Sequence, residues 1–332
     1  MMYRFLVQTV LSLGLLQAFP ADAGVVERHA SLPTAPDRVA VASPGVYEAQ
    51  ALLARPLPQA ADVGPGPVKV DRTSVGVETS AVAAIVVDRS TGKVLFEKNG
   101  DTPRSIGSIS KLMATMVYLQ GKPDLDADAA IEAEDVRQGG VQHLAVGDTV
   151  KVRDLLEAAL IGSDNTAVYA LVRLSGLSIG DFVARMNETA AEMGLRATTF
   201  IDPAGLSPDN RSIAPDLATM VDHALKQETI RTITAMPEAK ITGASGRTYT
   251  VESTNELLTS FMNQPPYKIV GGKTGYLPEA GYCFGAVFSE KDGHELTVVV
   301  LGSDSKQGRF QDAKALAAWA YKVFDWPDER RT

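Results

Sequence analysis

The segments of this chain with strand-like sequence lie near both ends, and the segments with helical periodicity lie between them. Residues 80–88 and 93–97 are rich in strand-forming residues and are separated by a turn-forming Arg-Ser-Thr-Gly sequence, so we expect a hairpin there. Residues 268–276, 282–288 and 296–301 have the same strand-like character. Short connections join these later segments, which favours antiparallel pairing. The sequence therefore predicts an α+β (mixed α/β) fold, in which both ends of the chain build one mostly antiparallel sheet flanked by helices.

Helical periodicity fills the middle of the chain, and we expect an inserted all-helical subdomain over about residues 113–235. Apolar residues recur at helical spacing from Ile109, so Ser108 is expected to open a helix. A second helix is predicted to begin at Asp154 as its N-cap and to stop at Gly162. The remaining predicted helices cover residues 181–193, 215–225 and 310–324.

The first 76 residues differ from the rest of the chain. Arg4 precedes an apolar run from Phe5 to Phe19, and small residues at 21–23 offer a cleavage site. This pattern predicts a signal peptide over residues 1–23, cleaved near Ala23, and export to the periplasm without a stable membrane anchor; an uncleaved anchor is the alternative. Residues 24–76 are rich in Pro and Ala and are expected to form a flexible linker before a folded domain at 77–328.

Charge and composition exclude several classes of function. The 332-residue chain has a formal net charge of −8 and no long basic run, which argues against nucleic-acid binding. Its four histidines are scattered and form no metal-binding pattern, so we expect no metal site. Cys283 is the only cysteine, which rules out an internal disulfide, and its strand-like surroundings predict a buried apolar residue.

Three short motifs follow one another along the chain: Ser108-Ile109-Ser110-Lys111, Ser163-Asp164-Asn165 and Lys273-Thr274-Gly275. Their first residues are 55 (163 − 108) and 110 (273 − 163) positions apart. The first motif opens a predicted helix, the second follows the end of another, and the third lies in a predicted strand. Each motif alone carries little information, but the set in this order predicts one active site.

The first two motifs supply groups for nucleophilic catalysis. Ser108 is the expected nucleophile, and Lys111, one helical turn further on, can reach it as a base if its pKa is lowered by burial and a second cation. Ser163 would pass a proton to a leaving amine, and Asn165 would orient Lys111 and the substrate. Asp164 is expected to point away and brace the loop. An ordinary helix start and an Asx-type turn are the alternatives.

The third motif is suited to substrate binding. Lys273 would provide positive charge and Thr274 a hydroxyl for a substrate carboxylate. Gly275 would leave room for an extended peptide to pair with the strand. The backbone N–H groups of Ser108 and Tyr276 are the expected oxyanion hole. A plain edge strand is the alternative interpretation.

On these motifs the chain resembles the low-molecular-mass penicillin-binding proteins, the D-alanyl-D-alanine carboxypeptidase/endopeptidase family of serine peptidases. The resemblance covers residues 80–325. Outside the three motifs it rests on Arg104–Met113, Met193–Leu195, Asp202–Leu206, Thr254–Leu258 and Gly281–Cys283. It implies the fold shared with serine β-lactamases, an acyl-enzyme mechanism on peptidoglycan stem peptides, β-lactam antibiotics as covalent inhibitors, and no cofactor.

Two departures from typical carboxypeptidases of this family favour cleavage of peptidoglycan cross-links. The chain ends soon after Trp326, so it resembles the shorter endopeptidase branch. Glu295 aligns where many carboxypeptidases carry an arginine that binds the free carboxylate of the terminal D-Ala. An acidic group there would repel that carboxylate. Carboxypeptidase activity remains open as a second possibility.

Three other functions compete with this interpretation. Class A β-lactamases share the three motifs but deacylate with a Glu in a Glu-x-x-Leu-Asn loop, and residues 198–205 contain no such Glu. A non-catalytic cell-wall scaffold would be expected to have lost Ser108, Lys111 or Lys273, and all three are present. A related serine esterase usually lacks the third motif.

Overall fold

The computed structural model describes residues 66–327. The expected signal peptide and residues 24–65 of the expected linker lie outside this range. The described residues form seven α-helices: α1 (Ser110–Gln120), α2 (Val152–Leu160), α3 (Asn165–Leu174), α4 (Ile179–Glu192), α5 (Ala214–Lys226), α6 (Glu228–Thr234) and α7 (Gly308–Val323). The strands are β1 (Val68–Lys69), β2 (Ala83–Asp88), β3 (Val94–Lys98), β4 (Arg104–Ser105), β5 (Asp128–Ala130), β6 (Thr149–Lys151), β7 (Arg211–Ser212), β8 (Glu238–Thr242), β9 (Thr248–Glu252), β10 (Tyr267–Leu277), β11 (Gly281–Glu290), β12 (Glu295–Ser303) and β13 (Phe324–Asp325).

The main sheet has five antiparallel strands in the order β10-β11-β12-β2-β3. Its central pairing joins the two ends of the domain, with Ile85 of β2 opposite Val299 of β12. This confirms the mixed fold and the sheet predicted from strands at both ends. Strand β10, which carries the third motif, lies at one edge of the sheet.

Both faces of the sheet are covered. On β11, Phe284 and Phe288 point into a core shared with α7, whereas Cys283 and Val287 point into a core shared with α5 and the helical segment. This alternation is the two-residue period of a strand. Cys283 is fully buried, and burial raises the pKa of its thiol to about 11, so it is a packing residue as expected.

The inserted segment is mainly helical, but it is not all-helical as we expected. Strands β5 and β6 pair within it, and the hairpin β8–β9 follows α6. Helix α3 was also missed by the sequence analysis. It is buried over residues 165–172, but Asn165, Tyr169 and Arg173 recur every four residues, so its sequence carries a helical pattern that the prediction did not use.

Several boundaries differ from those expected. Val68 and Lys69 pair with Asp325 and Phe324, so ordered structure begins before residue 77 and includes part of the expected linker. Helix α2 starts at Val152, so Asp154 occupies its third position instead of the expected N-cap. From there its carboxylate accepts the backbone N–H of Lys151 at 2.7 Å. The long strands agree with the prediction to within a few residues.

Among residues 66–327, no single helix is both long and apolar enough to cross a bilayer; α3 and α4 pass that test only as a pair bent by 95°.

Candidate active site

The three motifs meet in one cleft of about 400 Å³ between the start of α1, the α2–α3 loop and the edge strand β10. The predicted site residues that line it are Ser108, Ser163, Asn165, Thr274, Gly275 and Tyr276. Lys111 and Lys273 lie beneath them, and at most 1% of either residue is exposed. The structure therefore brings together all eight residues predicted from sequence.

Ser108 lies in a single 3₁₀ turn, Gly107–Ile109, and α1 begins two residues later. The turn is pressed against β10 by residues that have no side chain. Gly107 has φ of +52°, and a Cβ there would lie 2.8 Å from the backbone nitrogen of Tyr276. A Cβ on Gly275 would overlap the carbonyl oxygen of Ile106. The backbone segments next to Ser108 and Tyr276, the two expected oxyanion-hole donors, therefore lie close together.

Lys111 is the centre of a buried hydrogen-bond network. Its Nζ lies 2.8 Å from Ser108 Oγ, 2.7 Å from Asn165 Oδ1 and 2.6 Å from the carbonyl oxygen of Ala204. Burial lowers the pKa of the Lys111 ammonium to about 7, and the carboxylates of Asp202 and Asp164 oppose part of that change. The amine therefore reaches its neutral form near neutral pH, as a base requires.

The second motif spans a tight turn and the first residue of α3. Ser163 adopts a left-handed conformation with φ of +61°, which is unusual for a residue other than glycine. Asp164 caps α3 by accepting the N–H of Ala167 at 3.1 Å, and its second oxygen accepts the N–H of His143 at 2.6 Å. Asp164 therefore braces the loop, as expected, and Ser163 faces the cleft.

Lys273 pairs with the second serine much as Lys111 pairs with the first. Its Nζ donates to Ser163 Oγ at 2.9 Å and to the carbonyl oxygen of Thr274 at 3.0 Å. Burial, followed by the charges of Lys111 and Arg309, lowers the pKa of Lys273 well below its ordinary value. The cleft therefore holds two serine–lysine pairs.

Two further residues of the cleft were not singled out from the sequence. Thr254 lies behind the third motif, and its hydroxyl accepts the hydroxyl proton of Thr274 at 2.8 Å. Arg309 is 4% exposed, lines the cleft and donates to the carbonyl oxygen of Gly275 at 3.2 Å, while its Nε has no partner among the described residues. Thr254 lies in a segment that carried the resemblance, but Arg309 lies in a helix start without a recognisable pattern.

The prediction that Glu295 lies where it would meet a substrate carboxylate is wrong. Its register partner on β11 is Ser289, which lies opposite Lys268 of β10, whereas the site lies at Gly275. Seven residues (275 − 268) along a strand correspond to about 23 Å. Glu295 instead pairs with Arg89 at 2.5 Å. Among the residues that line the cleft, Lys306 and Arg309 are basic, so Glu295 gives no reason to exclude a substrate carboxylate.

The cleft contains what acyl transfer requires. The Ser108 hydroxyl is in contact with the Lys111 amine, which can become neutral near neutral pH, and the Ser163–Lys273 pair faces them. Strand β10 offers the edge of a sheet to an extended chain. The mixed fold and this pair of serine–lysine contacts define the class: a serine peptidase. Comparison with known proteins supports this assignment and narrows it.

The sequence pattern of the family described as D-alanyl-D-alanine carboxypeptidase matches residues 69–305. A D-alanyl-D-alanine endopeptidase of Pseudomonas aeruginosa is 32% identical over 73% of this chain and 77% of its own length. The D-alanyl-D-alanine carboxypeptidase DacF of Bacillus subtilis is 30% identical over 71% of this chain, which spans 61% of that relative. The crystal structure of the Streptomyces K15 DD-transpeptidase is 30% identical and superposes with a TM-score of 0.70 over 75% of this chain and 100% of its own. The chain belongs to the D-alanyl-D-alanine carboxypeptidase family of serine peptidases.

Proposed function

We propose that this protein is a serine D,D-peptidase that hydrolyses D-alanyl-D-alanine-type bonds of peptidoglycan stem peptides through an acyl-enzyme on Ser108. The observation that carries the proposal is the contact of 2.8 Å between Ser108 Oγ and the buried Lys111 Nζ. A serine hydroxyl is a weak nucleophile, and a neutral amine in contact with it is the base that it needs. Penicillins, which mimic such an acyl donor, are the expected covalent inhibitors.

Each group of the cleft has a role in the proposed reaction. Neutral Lys111 takes the proton of Ser108 as Oγ attacks the carbonyl carbon, and the N–H groups of Ser108 and Tyr276 receive the oxyanion. The C–N bond then breaks as Ser163, held by Lys273, gives its proton to the leaving amine. The proton that Lys111 took from Ser108 then restores the Ser163 hydroxyl. Water replaces the amine in the second half of the reaction and releases the acid.

The substrate would lie along the free edge of β10. An extended peptide can pair with the backbone beyond Gly275, which is how chains bind to open sheet edges. Lys273, in contact with Ser163, and Arg309, in contact with the Gly275 carbonyl, would face a carboxylate on the departing residue. Thr274, fixed by Thr254, would add a hydroxyl to that contact.

Cleavage of cross-links is the preference that we propose, with carboxypeptidase activity as the second candidate. The preference rests on the relatives named D-alanyl-D-alanine endopeptidase from Pseudomonas aeruginosa, Haemophilus influenzae and Escherichia coli, since Glu295 no longer supports it. The second candidate is favoured by Arg309, whose guanidinium would bind the carboxylate of a terminal D-Ala. We further propose a periplasmic location after removal of residues 1–23.

Intact-mass measurement of the protein mixed with benzylpenicillin tests the proposal. We expect one adduct on Ser108 that persists for hours and is absent from Ser108→Ala. An adduct that clears within seconds while the drug is consumed would indicate a β-lactamase, and the absence of any adduct would favour a scaffold. Release of D-Ala from free stem peptides, compared with release of monomers from cross-linked dimers, then separates the two peptidase activities.

A further inference from the structure

The loop that follows α4 is organised around one carboxylate. Oδ1 of Asp202 accepts the backbone N–H groups of Ala204 at 2.8 Å, Gly205 at 2.7 Å and Leu206 at 3.1 Å, and Oδ2 accepts that of Ser207 at 2.7 Å. Four backbone donors directed at one side chain fix the path of these residues closely. The conformation of the loop therefore depends on Asp202.

A fully buried amide ties the same loop to the start of α1. Asn210 Oδ1 accepts the N–H groups of Ile201 at 2.7 Å and Asp202 at 3.1 Å, and Nδ2 donates to the carbonyl oxygen of Asp202 at 2.8 Å. The same Nδ2 donates to Ser110 Oγ at 3.0 Å, within the first motif. The loop is thus held in register with the helix that carries Lys111.

The loop presents the carbonyl oxygen of Ala204 to Lys111 Nζ at 2.6 Å. A neutral amine has two N–H donors and one lone pair, and it can accept a proton only along that lone pair. If its hydrogens are donated to Ala204 and to Asn165 Oδ1, the lone pair is left facing Ser108 Oγ. The Ala204 carbonyl therefore selects the orientation in which the amine can act as a base.

We propose that Asp202 is a positioning residue for Lys111: it fixes the Ala204 carbonyl that orients the neutral amine, and its charge stabilises the ammonium that forms when Lys111 takes the proton of Ser108. This proposal rests on the proposed function, in which Lys111 is the base. The carboxylate does not touch the reacting atoms and acts only through the loop and its electric field.

Three charged groups act on or face Lys111, namely Asp202, Asp164 and Lys273. Asp202 also raises the pKa of the neighbouring Tyr169, which burial raises first. Both carboxylates favour the ammonium form of Lys111, so removing the charge of Asp202 must lower the Lys111 pKa from its value of about 7. A substitution that displaces the carboxylate at position 202 but keeps its charge must leave the Lys111 pKa nearly unchanged.

The test measures the second-order rate of acylation by benzylpenicillin between pH 5 and 9 in wild type, Asp202→Asn and Asp202→Glu. In Asp202→Asn we expect the maximal acylation rate, the plateau of the pH–rate profile, to fall by about tenfold or more. We also expect the acidic limb of that profile to move by roughly 0.5–1 pH unit toward lower pH. Asp202→Glu keeps the charge but lengthens the side chain, so we expect a similar loss of plateau with the limb in place. Thermal unfolding of each variant shows whether it is folded.

An Asp202→Asn variant with an unmoved limb would reduce Asp202 to a structural residue and overturn the proposal, whatever its plateau. If Asp202→Asn does not fold, Asp202→Glu decides, and acylation at the wild-type rate overturns the positioning role. Failure of the proposed function has a different signature: a wild-type profile without an acidic limb, or a Lys111→Ala variant that acylates normally.

Discussion

Replacement of Gly205 by alanine should damage the site and the fold together. Gly205 has φ of +80°, and a Cβ there would overlap the carbonyl group of Gly107 and lie 2.8 Å from the nitrogen of Ser108. The first effect is backbone strain, because side chains disfavour the left-handed region. The second is a collision with backbone that cannot rotate away, beside a proposed oxyanion-hole donor.

The magnitude follows from these two terms. A left-handed alanine costs about 1–2 kcal/mol, and forcing extra volume into a packed region costs about 1–3 kcal/mol. The free energy of unfolding of Gly205→Ala should therefore fall by about 2–5 kcal/mol, which for a domain of this size lowers Tm by roughly 4–20 °C. Displacement of one oxyanion-hole donor should also slow acylation by about 10² or more.

Gly194→Ala is the matched control. Gly194 has φ of +75°, but apart from its own chain neighbours no atom of residues 66–327 lies within 4 Å of the position that a Cβ would take. It should lose only the strain term, about 1–2 kcal/mol, and should be acylated at the wild-type rate. Calorimetry and the rate of fluorescent-penicillin labelling measure both effects. If Gly205→Ala unfolds and reacts like Gly194→Ala, the close approach of the loop to Ser108 has no energetic consequence and the reasoning is refuted.

Three further predictions concern the cleft. The acylation rate of the wild type should fall about tenfold per pH unit below pH 7, because protonation of Lys111 (pKa about 7) removes its lone pair; a flat stopped-flow profile from pH 5 to 8 would contradict this. Thr254→Val should slow acylation by about 3–10-fold with little change in Tm, since the Thr274 hydroxyl loses its acceptor, and wild-type kinetics would show that this contact is dispensable. Arg309→Gln should remove about 10–100-fold of the preference for peptides with a free over an amidated C-terminus; an unchanged ratio of kcat/KM would rule out Arg309 as the carboxylate partner.

The sequence was sufficient for the parts of the molecule that have a local signature. The strands of the main sheet alternate or run apolar between turn residues, and their positions at both ends of the chain left one sheet as the simple solution. The site was predictable because its residues occur in three short motifs, and the fold brings all three together. Cys283 was predictable for the same local reason.

The missed features depend on contacts between distant segments. Arg309 reaches the cleft from the start of α7, 34 residues after the Gly275 carbonyl that it contacts, and nothing in its own segment marks it. Glu295 was misplaced because the register of β12 is determined by its pairing with β11, which the local sequence does not specify. The four backbone donors to Asp202 lie two to five residues further along the chain, and only its effect on Lys111, through the Ala204 carbonyl, joins distant segments.

The pairing of β2 with β12 also determines when the domain can become complete. Ile85 can pair only once Val299, 214 residues (299 − 85) later in the chain, has been synthesised, so the centre of the sheet cannot form before then. Ser108 likewise precedes Lys273 by 165 residues (273 − 108), and β10 can attach to the sheet only through β11 and β12. Contacts of such long range are formed late and slowly. A growing chain therefore carries its nucleophile early but acquires the strand beside it among its last elements, so that activity marks a finished domain.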